Sequence, residues 1–253
     1  MTRVLFLTGT LAPAAGTPLL ARSAVADRIA DYRRALDFQL GVLARGAVDR
    51  LVFVENSGHG MHPFADQVAA SGLADRVELI SYAAPPVPPG GSRLEAEFHL
   101  ILHGLAAARS LAGLPPETVV WKITGRYVLR NIETIMDRAP PGRDAHFHCR
   151  DWPRPHVDFA HAGYALGRAE AVIGALLQGP MGTGYMAWAR AAMARGTPVQ
   201  GPFAGLRLSL RFGAIPRLSG WRGVDGASWD GPGQRARHAL RVAAAAVAPR
   251  LWI

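Results

Sequence analysis

The chain has 253 residues, 49% of them hydrophobic, and a formal net charge of +9. That length and composition give a globular chain with a sizeable core and exclude a disordered one. No run approaches the about 18–20 apolar residues of a membrane span, and the one cysteine, Cys149, excludes an internal disulfide and fits a reducing compartment. Arg3–Thr8 reads as a buried strand. Its apolar stretch, Val4-Leu5-Phe6-Leu7, lacks the longer core and cleavage site of a secretory signal, so the expected location is the cytoplasm. A Gly/Pro/Ala loop follows over 9–20, then a helix from 24 to 44, in which Val25, Ile29, Tyr32, Leu36, Leu40 and Leu43 recur at helical spacing. Arg50–Glu55 is a second strand ended by the turn Asn56-Ser57-Gly58. Phe64–Ser71 reads as a short helix and Arg76–Tyr82 as a third strand. The segment 83–92, rich in Pro and Gly, is a surface loop.

Leu94–Leu111 is helical and Thr118–Ile123 a fourth strand. Asn131–Asp137 is a short helix; Ala145–Cys149 and Val157–Leu166 are two more strands. Ala169–Leu177, Gly184–Arg195 and Gln234–Val247 read as helices, with 196–233 a Pro/Gly-punctuated tail. The alternation of strands and helices predicts an α/β fold, a mainly parallel sheet flanked by helices. Ligands bind such sheets beyond the carboxyl ends of the strands, which singles out the loops at 8–20, 55–62, 83–93 and 122–131.

The pI is near 10.8. The arginines are scattered, with many towards the C-terminus (Arg207, Arg211, Arg217, Arg222, Arg235, Arg237, Arg241, Arg250), and form no dense block beside aromatic residues. Nucleic acid is therefore not an expected partner. A diffuse basic surface suits phosphorylated small molecules or an anionic inner-membrane surface, or is simply a soluble basic surface. Among the 28 basic residues Lys122 is the single lysine, at a place where a slim point charge suits and a planar fork does not.

Lys122 opens the sharpest segment, Lys122-Ile123-Thr124-Gly125-Arg126-Tyr127, followed by Asn131. Alternation along a strand puts Lys122 and Thr124 on one side. Gly125 permits a tight turn and close approach of a ligand. Arg126 offers a fork that matches phosphate oxygens. Two cations and a hydroxyl then converge where a diphosphate leaving group develops charge. A structural ion pair closing the strand is the alternative reading.

Lys122–Asn131 resembles the K-[IV]-T-G-R-Y-x-x-x-N signature of a family of bacterial glycosyltransferases from lipopolysaccharide and capsule loci. Arg28, Asp31 and Tyr32 match that family's R-x-x-D-Y stretch. Glu55-Asn56-Ser57-Gly58 matches its E-N-S-G. Pro216-Arg217-Leu218-Ser219-Gly220, with Gly223 and Gly226, is similar to its glycine-rich tail. The resemblance implies a GT-A-like, single Rossmann-type domain over 1–253, with a nucleotide-sugar-binding half, 1–131, and an acceptor half with the C-terminal helix, 132–253. It implies a nucleotide-sugar donor, a glycan or lipid-linked glycan acceptor and a role in surface polysaccharide synthesis. The donor-binding residues it points to are Lys122, Thr124, Gly125, Arg126, Tyr127 and Asn131, with Asn56 and Ser57 after the second strand and Thr8 and Gly9 at the end of the first. The family's Lys-Gly-x-Gly-Glu before the third helix is replaced here by Gly90-Gly91-Ser92-Arg93-Leu94-Glu95; Arg93 stands for the Lys, and Glu95 or Glu97 for the Glu. Near 184 the chain has Met181-Gly182-Thr183-Gly184 where the family carries a charge.

No Asp-x-Asp occurs, so the resemblance leans towards transfer without a metal. Glu95-Ala96-Glu97 is the one carboxylate pair at that spacing, and a divalent Mn or Mg ion there is the alternative to a helix-start role. Deprotonation of an acceptor hydroxyl needs a carboxylate or histidine. Asp151, Asp158 and His161 are the candidates, with Asp158 favoured. The same stretch raises a rival: His146, His148, Cys149, His156 and His161 as zinc ligands of a hydrolase, although without standard ligand spacing. A non-enzymatic basic module that docks on membrane or polyanion is the third reading. Trp152, Trp221 and Trp229 are the loop tryptophans available for stacking on a sugar.

Overall fold

The computed structural model describes residues 2–13, 21–85, 92–150, 156–178, 203–222 and 225–248. They divide into two units that interleave in sequence, the first holding Met1–Leu114, Lys122–Arg130 and Leu218–Asp230, the second the remainder. The predicted helix at Gly184–Arg195 lies outside the described residues.

In the first unit, β1 (Arg3–Gly9) and β2 (Arg50–Glu55) are buried along almost their whole length, as their unbroken apolar runs require of strands covered on both faces. They pair in parallel from Val4 opposite Arg50 to Gly9 opposite Glu55. The carboxyl ends of the two strands therefore finish level. β3 (Val77–Ser81) pairs in parallel on the other side of β2. The strand order is β3-β2-β1, with β4 (Val119–Thr124) beside β1. Helix α1 (Val25–Ala44) buries Tyr32, Leu36, Leu40 and Leu43 of the predicted stripe, together with Arg28, Asp31, Ala35, Gln39 and Val42, while Val25 and Ile29 stay partly exposed at its start. α2 spans His62–Ala70.

Helix α3 (Arg93–Ala107) is capped by Ser92, whose hydroxyl accepts from the Leu94 amide at 3.1 Å. It stops before the predicted Leu111, and Arg109–Leu111 forms a separate 3-10 turn. The cause is Glu78 of β3, whose carboxylate accepts from the Arg109 and Ser110 amides at 3.0 and 2.8 Å. It satisfies amides that a continuing helix would have bonded internally.

The second unit contains β6 (Ala145–Arg150) and β7 (His156–Ala165), an antiparallel pair with a register shift between His146 and His148. β8 (Leu208–Ser209) runs parallel to β6. The order is β4-β7-β6-β8, with residues 119–121 of β4 counted in this unit and 122–124 in the first. Helices α4 (Ile132–Asp137), α5 (Ala169–Gln178) and α6 (Pro232–Val247) complete it. The result is an α/β fold with a mixed, mostly parallel sheet flanked by helices. The antiparallel β6–β7 hairpin departs from a purely parallel reading.

The predicted tail contains two short strands. β8 is held by the buried Asp144, whose carboxylate accepts from the Arg207 amide at 2.7 Å and the Arg207 guanidinium at 3.3 Å. β9 (Leu218–Ser219) pairs antiparallel with β5 (Val128–Leu129) in the first unit. Two-residue strands carry no periodicity, so only their partners reveal them.

Gly104 sits inside α3, where glycine costs about 1 kcal/mol relative to alanine. A methyl group there would stand 2.6 Å from the rings and methyls of Phe6 and Val54, so the glycine lets α3 lie close against β1 and β2. Gly104→Ala is expected to lower unfolding stability by about 1–3 kcal/mol despite its better helix propensity, measured by urea denaturation.

Candidate functional site

The first unit gathers side chains from two strands, β1 and β4, around one carboxylate on helix α3. Lys122 of β4, only 1% exposed, forms an ion pair with Glu97 of α3, whose side chain is 27% exposed. Glu97 Oε1 also accepts from the hydroxyls of Thr8 at 2.9 Å and Thr124 at 3.2 Å. The Lys122 ammonium in turn donates to Thr124 Oγ1 at 3.2 Å. Alternation along β4 brings Lys122 and Thr124 to the same side as predicted. Burial opposes the Glu97 charge, but the Lys122 ammonium and the surrounding donors hold its carboxyl below the ordinary range. Glu97, rather than Glu95, meets the strand ends.

Beside it, the loop after β1 is shaped from below. Glu55 is fully buried at the end of β2. Its Oε1 accepts from the amides of Leu11 at 3.2 Å and Ser57 at 2.6 Å and from the Ser57 hydroxyl, and its Oε2 from Ser81 Oγ at 2.8 Å. Ser57 Oγ accepts from the Ala12 amide at 3.0 Å, and Asn56 Oδ1 from Thr10 Oγ1 at 2.6 Å. Arg28, buried on α1, donates through Nε to the Thr10 carbonyl at 2.7 Å. The Tyr32 hydroxyl accepts from the Thr10 amide at 3.0 Å while its ring packs 5.6 Å from Phe53. Asn56 and Ser57, predicted donor ligands, thus build this loop. Glu55 as its organiser was not singled out by chemistry. The visible signal was polar Arg28 and Asp31 on the apolar stripe of α1.

Gly9 and Gly125 meet the protein itself. A methyl group on Gly125 would stand 3.0 Å from the Thr8 carbonyl and 3.2 Å from both Tyr32 and Phe53, and one on Gly9 2.9 Å from Phe53. The Gly125 amide donates to Thr8 O at 2.8 Å. Glycine at 125 lets the ends of β1 and β4 close on each other.

Arg126 is half-buried. Its Nη2 donates to Tyr127 OH at 3.3 Å, and its guanidinium lies 5.1 Å from the Tyr127 ring centre. Burial disfavours its charge, yet Tyr32, Tyr127 and Glu97 hold its pKa above the usual guanidinium range. Its Nε is buried and has no hydrogen-bond partner among the described residues. Tyr127 packs edge-on to Trp229 at 6.5 Å. Gly220 adopts φ +114° against the Arg126 carbonyl, which brings the glycine-rich tail beside this segment. Trp221, 37% exposed, has Arg22 over its ring at 5.4 Å.

In the second unit, Asn131 spends its amide on the backbone, donating to Ile215 O at 2.9 Å and accepting from Arg217 N at 2.8 Å. Asp158 Oδ1 accepts from the Ala160 amide at 3.0 Å and lies 3.9 Å from His161 Nδ1. Burial opposes the Asp158 charge, but His161 and His156 hold its carboxyl below the ordinary aspartate range. His148 and His161 pack on Phe212 at 5.6 and 5.4 Å. The Arg241 guanidinium, which only donates, meets His148 Nε2 at 3.1 Å, so the His148 proton sits on Nδ1. Burial, then His161 and Arg241, keeps His148 neutral. His146 instead stacks on Trp121 at 5.3 Å.

The zinc reading of this stretch finds no support here. Its histidines diverge onto Trp121 and Phe212, Cys149 is buried opposite Val157, and no group of three or more metal-ligating side chains stands together among the described residues. The Glu95–Glu97 pair does not fit a divalent ion either, because Glu97 Oε1 already faces the Lys122 ammonium. Asp151, Trp152, the Arg93 side chain and Met181–Gly184 lie outside the described residues.

No family model matches the chain, and no curated protein matches it. Among solved structures it is similar to a candidate nucleotide-diphospho-sugar transferase from Desulfovibrio desulfuricans G20, with 11% identity and a TM-score of 0.41 over 83% of this chain and 80% of that one. It is also similar to a candidate glucose-1-phosphate thymidylyltransferase from Bacillus anthracis, solved with sucrose, with 9% identity and a TM-score of 0.39 over 96% and 95% of the two chains. The chemistry of the site rests on its own residues.

Two predictions follow from these charges. Removing one partner of a buried pair strands the other. Lys122→Met and Glu97→Gln are each expected to cost about 3 kcal/mol of stability, and the double variant less than their sum by about 1–3 kcal/mol, read from urea unfolding. His146 is held neutral by burial, with its pKa lowered to about 4. The unfolded chain takes up this proton below about pH 6.5. Stability is therefore expected to fall with pH from about 6.5 towards 4, by up to about 1.4 kcal/mol per pH unit for this residue. His146→Phe, which keeps the stack on Trp121, is expected to flatten that slope in a pH series.

Proposed function

We propose that this protein is a glycosyltransferase that moves a sugar from a nucleotide-sugar donor to a glycan or lipid-linked glycan acceptor in the synthesis of a bacterial surface polysaccharide, lipopolysaccharide or capsule, working in the cytoplasm. The observation that carries the reading is Arg126: a half-buried guanidinium whose buried Nε has no partner among the described residues, next to level strand ends and a carboxylate already clamped by Lys122. The Lys122–Asn131 resemblance supports the same class of donor.

In this reading Arg126 meets the donor diphosphate, for which a guanidinium fork is suited. Lys122 acts as a positioning residue that fixes Glu97, and Glu97 accepts a hydroxyl of the donor. The loop after β1, fixed by Glu55, Arg28 and Tyr32, receives the nucleoside. The acceptor hydroxyl oxygen forms a bond to the anomeric carbon while the bond from that carbon to the diphosphate oxygen breaks. The nucleoside diphosphate departs with its electron pair, its charge met by Arg126. The acceptor proton passes to a general base. No metal ion is assigned to this step.

The test is a thermal-shift series on purified protein with UDP, GDP, CDP and CMP. A ligand that binds only the folded state raises the melting temperature by mass action. One nucleotide is expected to stabilise the wild type, and Arg126→Ala to weaken that binding about 10–100-fold, the worth of one charge-assisted contact. Arg126→Ala leaves the Lys122–Glu97 pair intact, so its own stability should stay near wild type. Absence of any nucleotide response, or an unchanged response in Arg126→Ala, sinks the reading.

A further inference from the structure

Helix α6 presents its amphipathic pattern in reverse. A helix packed on a core turns its apolar stripe inwards. At about 100° per residue, Gln234, His238 and Arg241 of α6, with Ala244 and Ala245, make up the less exposed face, and Arg241 reaches His148. The opposite face carries Ala236, Ala239, Leu240, Ala243, Ala246 and Val247, all exposed. Leu240 is 54% and Val247 85% exposed, and no residue of the helix is buried. Arg235 and Arg237, both exposed, border this stripe on its two sides, and the helix contains no acidic residue.

An apolar stripe turned to water and edged by cations matches a helix that lies in the interface of an anionic bilayer. We propose that α6 docks this protein on a membrane rich in anionic lipid, laying Leu240 and Val247 among the acyl-chain ends with Arg235 and Arg237 on the headgroup phosphates. Charge selects this occupant. A second copy would bring the same cations to the same rim, and a chain of net charge +9 repels itself. The sequence beyond α6 continues with Arg250, Leu251 and Trp252, and arginine and tryptophan are residue types suited to the membrane interface. The alanine-rich stripe gives shallow, reversible docking. The inference stands on α6 alone and is independent of the reaction the protein performs.

The full chain is sedimented with vesicles of phosphatidylcholine alone and of phosphatidylcholine mixed with phosphatidylglycerol, at low and high salt. Two double variants are compared, Leu240→Glu/Val247→Glu and Arg235→Glu/Arg237→Glu. The wild type is expected to bind the anionic vesicles, to ignore the neutral ones and to weaken with salt. Each variant is expected to lose at least about tenfold in partitioning, with unchanged far-UV circular dichroism because the altered side chains are exposed. Three results overturn the proposal: no binding of wild type to anionic vesicles, wild-type binding by either variant, or a wild-type dimer in light scattering that Leu240→Glu/Val247→Glu converts to monomer.

Discussion

The ion pair between Glu97 and Lys122 is the constraint on which the rest of the first unit's strand ends depend. An ammonium with almost no exposure is tolerable only beside a full counter-charge and further hydrogen bonds. Glu97 supplies the charge, and the Thr8 and Thr124 hydroxyls complete the coordination of one carboxylate oxygen. Helix α3 must therefore lie where Glu97 reaches β4, and Gly104 allows that approach against Phe6 and Val54. The single lysine of the chain fits this place for a steric reason. A slim stem ending in a point charge sits within a buried cluster that a planar guanidinium would not enter.

Another carboxylate, the fully buried Glu55, organises the neighbouring loop. It spends both oxygens on the protein's own donors and so holds residues 10–12 and 57 in one arrangement. Arg28 and Tyr32 complete the frame from α1. With these groups satisfied internally, Arg126 differs from them in keeping a buried nitrogen without a partner among the described residues. A site fixed by its own hydrogen bonds loses little on ligand binding, which is the physical value of a preorganised frame.

The second unit solves a different problem. Its histidines lie among aromatic rings, and burial keeps His146 and His148 neutral. Arg241 joins α6 to that group from the helix's less exposed face.

Most of the strands and helices were legible because the run lengths and the three-and-four spacing of apolar residues in α1 leave little choice of element. The segment Lys122–Tyr127 and its convergence of cation and hydroxyl were legible from alternation along one strand. The roles inside it were not. Whether Lys122 faces a ligand or a carboxylate depends on Glu97, 25 residues earlier on another element, and the choice between Glu95 and Glu97 follows from which face of α3 meets β4. The glycine at 125 reads the same in sequence whether a ligand or the Thr8 carbonyl approaches it; tertiary packing decided for the carbonyl. The strands β5, β8 and β9 exist through their partners alone. Sequence by itself determined the α/β class, the buried strands and the composition of the candidate site, because these follow from local periodicity and residue chemistry. Tertiary structure decided which charges neutralise one another and which face of α6 meets solvent, because pairing depends on distances between residues far apart in the chain.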